Sequence, residues 1–163
     1  MSSIHTPYGP PVAKVASPTD EFQPVGLLSV CGRIGRARYI FYTSAMPLFL
    51  LLITTAVMIS VHSLTMVTIL PLIVLSVAML IVFVMLTIQR SHDFGITGAL
   101  AILGFVPLVN LLFWLVPGTD GRNRFGPPAP PTPRAVLIGA CTVPIVILLI
   151  AAAATLVPSL DHR

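Results

Sequence analysis

From Tyr39 to Gln89 the chain runs for 51 residues without an Asp, Glu, Lys or Arg, and only the patch His62-Ser63-Leu64-Thr65 interrupts its apolar character. A water-soluble domain has no interior that could hide so long an uncharged stretch, whereas a bilayer accepts it. Composition points the same way. Apolar residues make up 56% of the 163 residues and charged residues 9%, against averages for soluble domains of about 45–50% and about 25%. The fold class this implies is all-α, an integral membrane helical bundle. Nine Lys and Arg against five Asp and Glu give a net charge of +4. They lie in short clusters and not along a stripe, which excludes a nucleic-acid footprint.

Charge also marks the segments. Residues 39–61 and 66–88 are 23 residues each, about 34 Å as helix and enough for a hydrocarbon core of about 30 Å. Their short connection makes them an antiparallel hairpin. The second carries 15 Leu, Ile, Val and Phe residues, each favouring insertion by up to about 0.5 kcal/mol. A third apolar segment, 97–117, is interrupted by Gly104, Pro107 and Asn110, residues that weaken or kink a helix. It either spans or turns back halfway. A fourth, 135–157, contains the small-residue run Ala151–Ala154, read as a helix-packing face. Four hydrophobic segments therefore give three or four full spans.

Residues 1–25, with Pro7, Pro10, Pro11 and Pro18, have too few apolar groups for a core and are expected to form a disordered cytoplasmic tail. No apolar run of signal-peptide type precedes residue 39, so the first span is expected to serve as an uncleaved insertion signal. Residues 26–128 form the main membrane domain, and 129–134 a Pro-rich spacer before the additional helix at 135–157. Cys31 and Cys141 suggest neither a disulfide framework nor a metal site and are read as structural thiols.

Any chemistry must come from three polar clusters. Gly32-Arg33-Ile34-Gly35-Arg36-Ala37-Arg38-Tyr39 precedes the first span. Arginines there fix orientation and meet anionic headgroups at about 1 kcal/mol per charge. Gln89-Arg90-Ser91-His92-Asp93-Phe94-Gly95 follows the second span. Helical neighbours such as His92 and Asp93 point about 100° apart, so an ion pair between Asp93 and an arginine at the membrane boundary is the expectation. Pro117-Gly118-Thr119-Asp120-Gly121-Arg122-Asn123-Arg124-Phe125-Gly126-Pro127-Pro128 follows the third segment. Its glycines read as turn chemistry, and it lacks the lysine and spacing of a phosphate loop. Arg33, Arg36, Arg38, Arg90, His92, Asp93, Asp120, Arg122, Asn123 and Arg124 are thus candidates for a polar cap at headgroup level. No catalytic, cofactor-binding or metal-ligating set is expected.

Together the three clusters resemble the bacterial family called domain of unknown function 805. Its blocks read approximately Gly-Arg-x-x-Arg-x-x-Tyr/Phe, Arg-x-His-Asp-x-Gly and Pro-Gly-x-x-Gly-x-Asn-Arg-Phe/Tyr-Gly, and all three occur here in order over about residues 26–128. The resemblance implies a small helical protein of the bacterial inner membrane whose molecular function is not established. The chain departs from it in carrying Ile96-Thr97-Gly98-Ala99 where family members usually have tryptophan, its only Trp being Trp114, and in continuing into a fourth apolar segment.

The function expected is that of a non-enzymatic scaffold or regulatory membrane component, N-terminus cytoplasmic, with the lipid bilayer and another membrane protein or a second copy as partners. The alternative is a small-solute or ion carrier or exporter subunit whose broken third segment lines the pathway. A carrier is expected to place ionisable groups at membrane depth, and the four segments lack Asp, Glu, Lys and Arg. If segment 97–117 crosses, Arg122, Arg124 and Arg134 lie outside. If it returns, they join the other arginines, and Asp93 and Asp120 come within reach of Arg33, Arg36, Arg122 or Arg124. The positive-inside rule favours return, and the segment's length allows crossing.

Overall fold

A computed structural model describes residues 22–61 and 65–161, with side chains to residue 154. The expected tail is therefore outside the described residues except for its last four, and so is His62. Helix α1 runs Arg36–Val61, α2 Met66–Asp93, a 3-10 helix Gly98–Phe105, α3 Pro107–Leu115 and α4 Arg134–Asp161. The described residues contain three helices long and apolar enough to cross a membrane: α1, α2 and α4. The protein is a membrane helical bundle.

Helices α1 and α2 run beyond the uncharged segments that form most of their length, and the added turns carry charge. Arg36 and Arg38 belong to the first turn of α1, Arg90 and Asp93 to the last turn of α2. Helix α2 begins where the Thr65 backbone N–H donates to Thr68 Oγ1 at 3.0 Å. It ends at Phe94, with Ile96 N–H donating to Ser91 O at 3.1 Å and Gly95 N–H to His92 O at 3.0 Å. That pair of bonds needs a left-handed residue after the cap, and Gly95 supplies it at φ 74°.

The third segment turns back. Phe105, at the end of the 3-10 helix, packs on Phe83 with ring centroids 5.3 Å apart. Phe83 lies ten residues before Asp93, about 15 Å along α2 and so about half the hydrocarbon thickness. Helix α3 then returns the chain, and Thr119 N–H donates to Asp93 O at 2.8 Å. All three polar clusters therefore meet at one end of the bundle, which we call the cap.

Each residue that made this segment look broken has its own task. Pro107 is the first residue of α3, where its missing N–H leaves nothing unpaired. Asn110 Oδ1 accepts a 2.8 Å bond from the Tyr39 hydroxyl, which also lies 3.2 Å from Thr87 Oγ1. Gly104 lets the backbone meet α2, since a Cβ there would sit 2.8 Å from Thr87 Cγ2, and at Gly98 2.7 Å from Ile88 Cγ2. Residues three apart eclipse on a 3-10 helix, so Gly98, the buried Ala101 and Gly104 form one small face against α2.

Helix α4 packs along α1. Its close approach is at Gly139, where a Cβ would meet Phe41 at 2.5 Å, and at the buried Ala140. The run Ala151–Ala154, expected to be the packing face, is exposed. Cys31 and Cys141 are free and exposed, so neither is packed in a core as a structural thiol would be.

Cys31 and Asp120 are both exposed at the cap. A membrane-impermeant maleimide is expected to label native Cys31 in a Cys141→Ser background, and an Asp120→Cys cysteine in a background lacking both natural ones, from the same side of the membrane. Labelling from opposite sides would restore a complete third crossing.

Candidate functional site

Among the described residues, those buried are mostly polar. Arg33, Arg38, Thr43, Ser44, Thr87, Gln89, Arg90, Ser91 and Asp93 are buried, while large apolar side chains such as Leu52, Ile59, Leu70 and Leu148 face outward. Such an inversion suits a bilayer, where apolar groups lose nothing by exposure and polar groups must pair internally. The small apolar core of Ile34, Tyr39, Leu86 and Phe113 lies just beneath the cap.

Asp93 is the centre of the cap. Arg33 Nε and Nη2 both donate to its Oδ1, at 3.0 and 2.9 Å, and Arg90 Nη1 donates to its Oδ2. The Arg90–Asp93 pair joins positions i and i+3 of one helical turn, while Arg33 reaches in from the chain ahead of α1. Both guanidinium groups are essentially inaccessible to solvent. Two cations against one anion leave the cluster with an excess of one positive charge.

Backbone carbonyls absorb that excess. Arg33 Nη1 donates to Gly121 O at 2.6 Å and Nη2 to Thr119 O at 2.5 Å. Arg90 Nε donates to Phe113 O at 2.9 Å and Nη2 to Val116 O at 2.5 Å. Arg36 Nη1 reaches Leu115 O at 3.3 Å. Phe113 and Leu115 stand in the last turn of α3, whose carbonyls have no partner inside the helix and carry the negative end of its dipole. Arg90 and Arg36 thus cap α3 from two other helices. The third cluster returns the service to α2: Thr119 Oγ1 donates to Asp93 O at 2.9 Å and Asn123 Nδ2 to His92 O at 2.8 Å.

Arg38 has a separate partner. Its Nη1 donates to Pro130 O at 2.5 Å and its Nη2 to Pro131 O at 2.7 Å. Proline has no N–H, so an extended Pro-rich chain offers carbonyls free of ladder partners. The stretch read as a spacer is therefore fastened to the start of α1. His92 stacks on Phe125, centroids 3.9 Å apart and planes 10° apart, with its Nδ1 3.2 Å from Gly32 O. The Arg124 guanidinium lies 4.7 Å from the centre of the same Phe125 ring.

Of the ten candidates, Arg33, Arg90, Asp93, His92, Asn123, Arg36 and Arg38 join the cap network. Among the described residues Arg124 reaches the Phe125 ring alone, and Arg122 is exposed. Asp120, expected to pair as Asp93 does, is exposed and makes no ion pair among the described residues. Asp93 pairs with Arg90 as well as with Arg33, whereas Arg36, Arg122 and Arg124 do not reach it. Residues the sequence did not single out complete the network. Gln89 is buried, and its Nε2 donates to Gly26 O at 2.7 Å and Ser29 O at 2.6 Å, fastening the chain ahead of α1. Its place beside Arg90, inside an otherwise apolar helix end, was the available signal. Gln23 lies against Gly32 and Gly126, with nothing in the sequence to mark it.

Helices long and apolar enough to span a membrane, a third apolar segment that turns back alongside α2, and a buried arginine–aspartate cluster at one end define a polytopic membrane protein. Residues 27–127, well over half the chain, match the family described as Protein of unknown function (DUF805), and the chain belongs to that family. No curated protein and no solved structure matches it.

Proposed function

We propose that the chain is a non-enzymatic component of the bacterial inner membrane that scaffolds or regulates another membrane protein, with its N-terminus and its cap on the cytoplasmic side. The observation that carries this reading is that the buried charged groups are committed to one another and to backbone carbonyls. Their positions are those of a structural keystone, which leaves the outward surfaces for association. Orientation follows from the arginines at the cap, namely Arg33, Arg36, Arg38, Arg90, Arg122, Arg124 and Arg134, because positive charge near span ends is retained in the cytoplasm.

Affinity purification from membranes in a mild detergent tests the reading. A membrane protein recovered in fixed stoichiometry, and lost when lipid-facing residues of α4 such as Leu148 and Leu149 are replaced together by Trp, is the expected result. Solute or ion flux through liposomes containing this protein alone would overturn it in favour of a carrier.

A further inference from the structure

The two legs of the re-entrant pair leave a slot between them. Its walls are Leu100 and Leu103 from the 3-10 helix and Val109, Leu112 and Val116 from the returning chain, with Phe94 at the cap end. Its volume is about 240 Å³ and its lining is apolar throughout. Leu103, Leu112 and Val116 are partly exposed, at 41%, 55% and 43%, so the slot opens outward, while Phe113 at its floor is buried at 4%. It runs from the level of the cap down toward Phe105, beside Phe83, about half the hydrocarbon depth. That is the course of one acyl chain of a phospholipid in the leaflet on the cap side.

The cap end of the slot is positive. Arg36 is exposed and donates to the carbonyl of Leu115, next to Val116 on the rim. Among the described residues it makes no ion pair. Arg90 stands 4.4 Å from the centre of the Phe94 ring, donates to Val116 O, and belongs to the cluster with excess positive charge. Among the described residues, seven arginines stand against two aspartates, Asp93 and Asp120, at the cap. An apolar slot of one-leaflet depth with an exposed guanidinium at its headgroup end is complementary to an anionic lipid.

We propose that the re-entrant pair clasps one anionic phospholipid, its acyl chain in the slot between the 3-10 helix and α3 and its phosphate on Arg36. The proposal is independent of whether the protein scaffolds a partner, and concerns a lipid of the surrounding bilayer.

Native mass spectrometry of the detergent-purified protein, with added phosphatidylglycerol or phosphatidylcholine, tests it. The unaltered protein is expected to retain one lipid per chain and to prefer phosphatidylglycerol at least fivefold. Val109→Trp fills the slot and is expected to lower retention of both lipids at least tenfold, with helical content by circular dichroism unchanged. Leu103→Trp fills it from the opposite leg and answers the question if the first variant does not fold. Arg36→Gln is expected to bring the preference between the two lipids close to unity while a lipid is still retained. Retention unaffected by filling the slot, an absence of headgroup preference, or a dimer holding no lipid, with a second copy in the slot, would each overturn the proposal.

Discussion

Asp93→Asn is expected to destabilise the protein by about 3–5 kcal/mol, the usual cost of removing one partner from a buried ion pair. The magnitude rests on geometry. Arg33 binds one carboxylate oxygen through two nitrogens and Arg90 binds the other, and both guanidinium groups are buried. An amide in that place presents an N–H₂ to one of them and carries no charge to either. Two cations are then left buried side by side, and the carbonyls of Thr119, Gly121, Phe113 and Val116 cannot neutralise them. Thermal unfolding in detergent is the measurement, with a fall in midpoint of about 10 °C on the slope usual for a chain of this size. Asp120→Asn is the internal comparison. Asp120 is exposed and makes no ion pair among the described residues, so its variant is expected to stay within about 0.5 kcal/mol of the parent. Equal behaviour of the two would show that the cluster contributes nothing. Adding Arg33→Gln to Asp93→Asn removes one of the stranded cations, so the double variant is expected to be less unstable than the sum of the two single ones.

The contrast between these two aspartates marks how far the sequence could be read. Both lie in a polar block near glycine, and both stood within reach of arginines once the third segment was allowed to return. What separates them is tertiary. Asp93 occupies the last turn of α2, three residues after Arg90 and facing inward, whereas Asp120 sits at the outside of a turn whose inward atoms are backbone carbonyls. The spans themselves were readable because charge is expelled from the hydrocarbon whatever the packing. The third segment was not, since 21 residues fit one crossing or two half-crossings equally well by length. The decision comes from complementarity between distant backbone groups. The last carbonyls of α2 need the donors of Thr119 and Asn123, and the last carbonyls of α3 need those of Arg90 and Arg36. Such needs belong to helix ends and leave no periodic signal. The small face of the 3-10 helix has a period of three, which a reading for α-helical periodicity passes over, so Gly104 looked like a defect when it is a contact. The Pro-rich stretch misled in the opposite way: its composition indicates an extended chain, and only Arg38 reveals that its carbonyls are used.

Gly118→Ala is expected to cost about 3 kcal/mol, the upper part of the range for overpacked sites, although it adds only a methyl group in a loop. A Cβ on Gly118 would lie 2.0 Å from Asp93 Oδ2 and 2.5 Å from its Cγ, far inside van der Waals contact. Carboxylate and loop cannot both keep their places. If the carboxylate retreats it leaves Arg90, whose bond to Oδ2 is on the crowded side. If the loop retreats, Thr119 loses its two bonds to Asp93 O and Arg33 loses Thr119 O. Gly121, three residues later in the same block, separates contact from conformation. It holds φ 67°, and nothing lies within 4 Å of the place a Cβ would take, so Gly121→Ala is expected to cost only the left-handed backbone penalty of about 1–2 kcal/mol. The two glycines that both read as turn residues thus serve different needs, space at one and a positive φ at the other. Combining Gly118→Ala with Asp93→Ala distinguishes them further. With the carboxylate gone the added methyl has room, and Gly118→Ala is expected to become nearly neutral in that background, while Gly121→Ala keeps its full cost. Chemical or thermal unfolding of these variants measures this, and an undiminished Gly118→Ala effect without the carboxylate would mean that the loop, and not its fit against Asp93, sets the requirement for glycine.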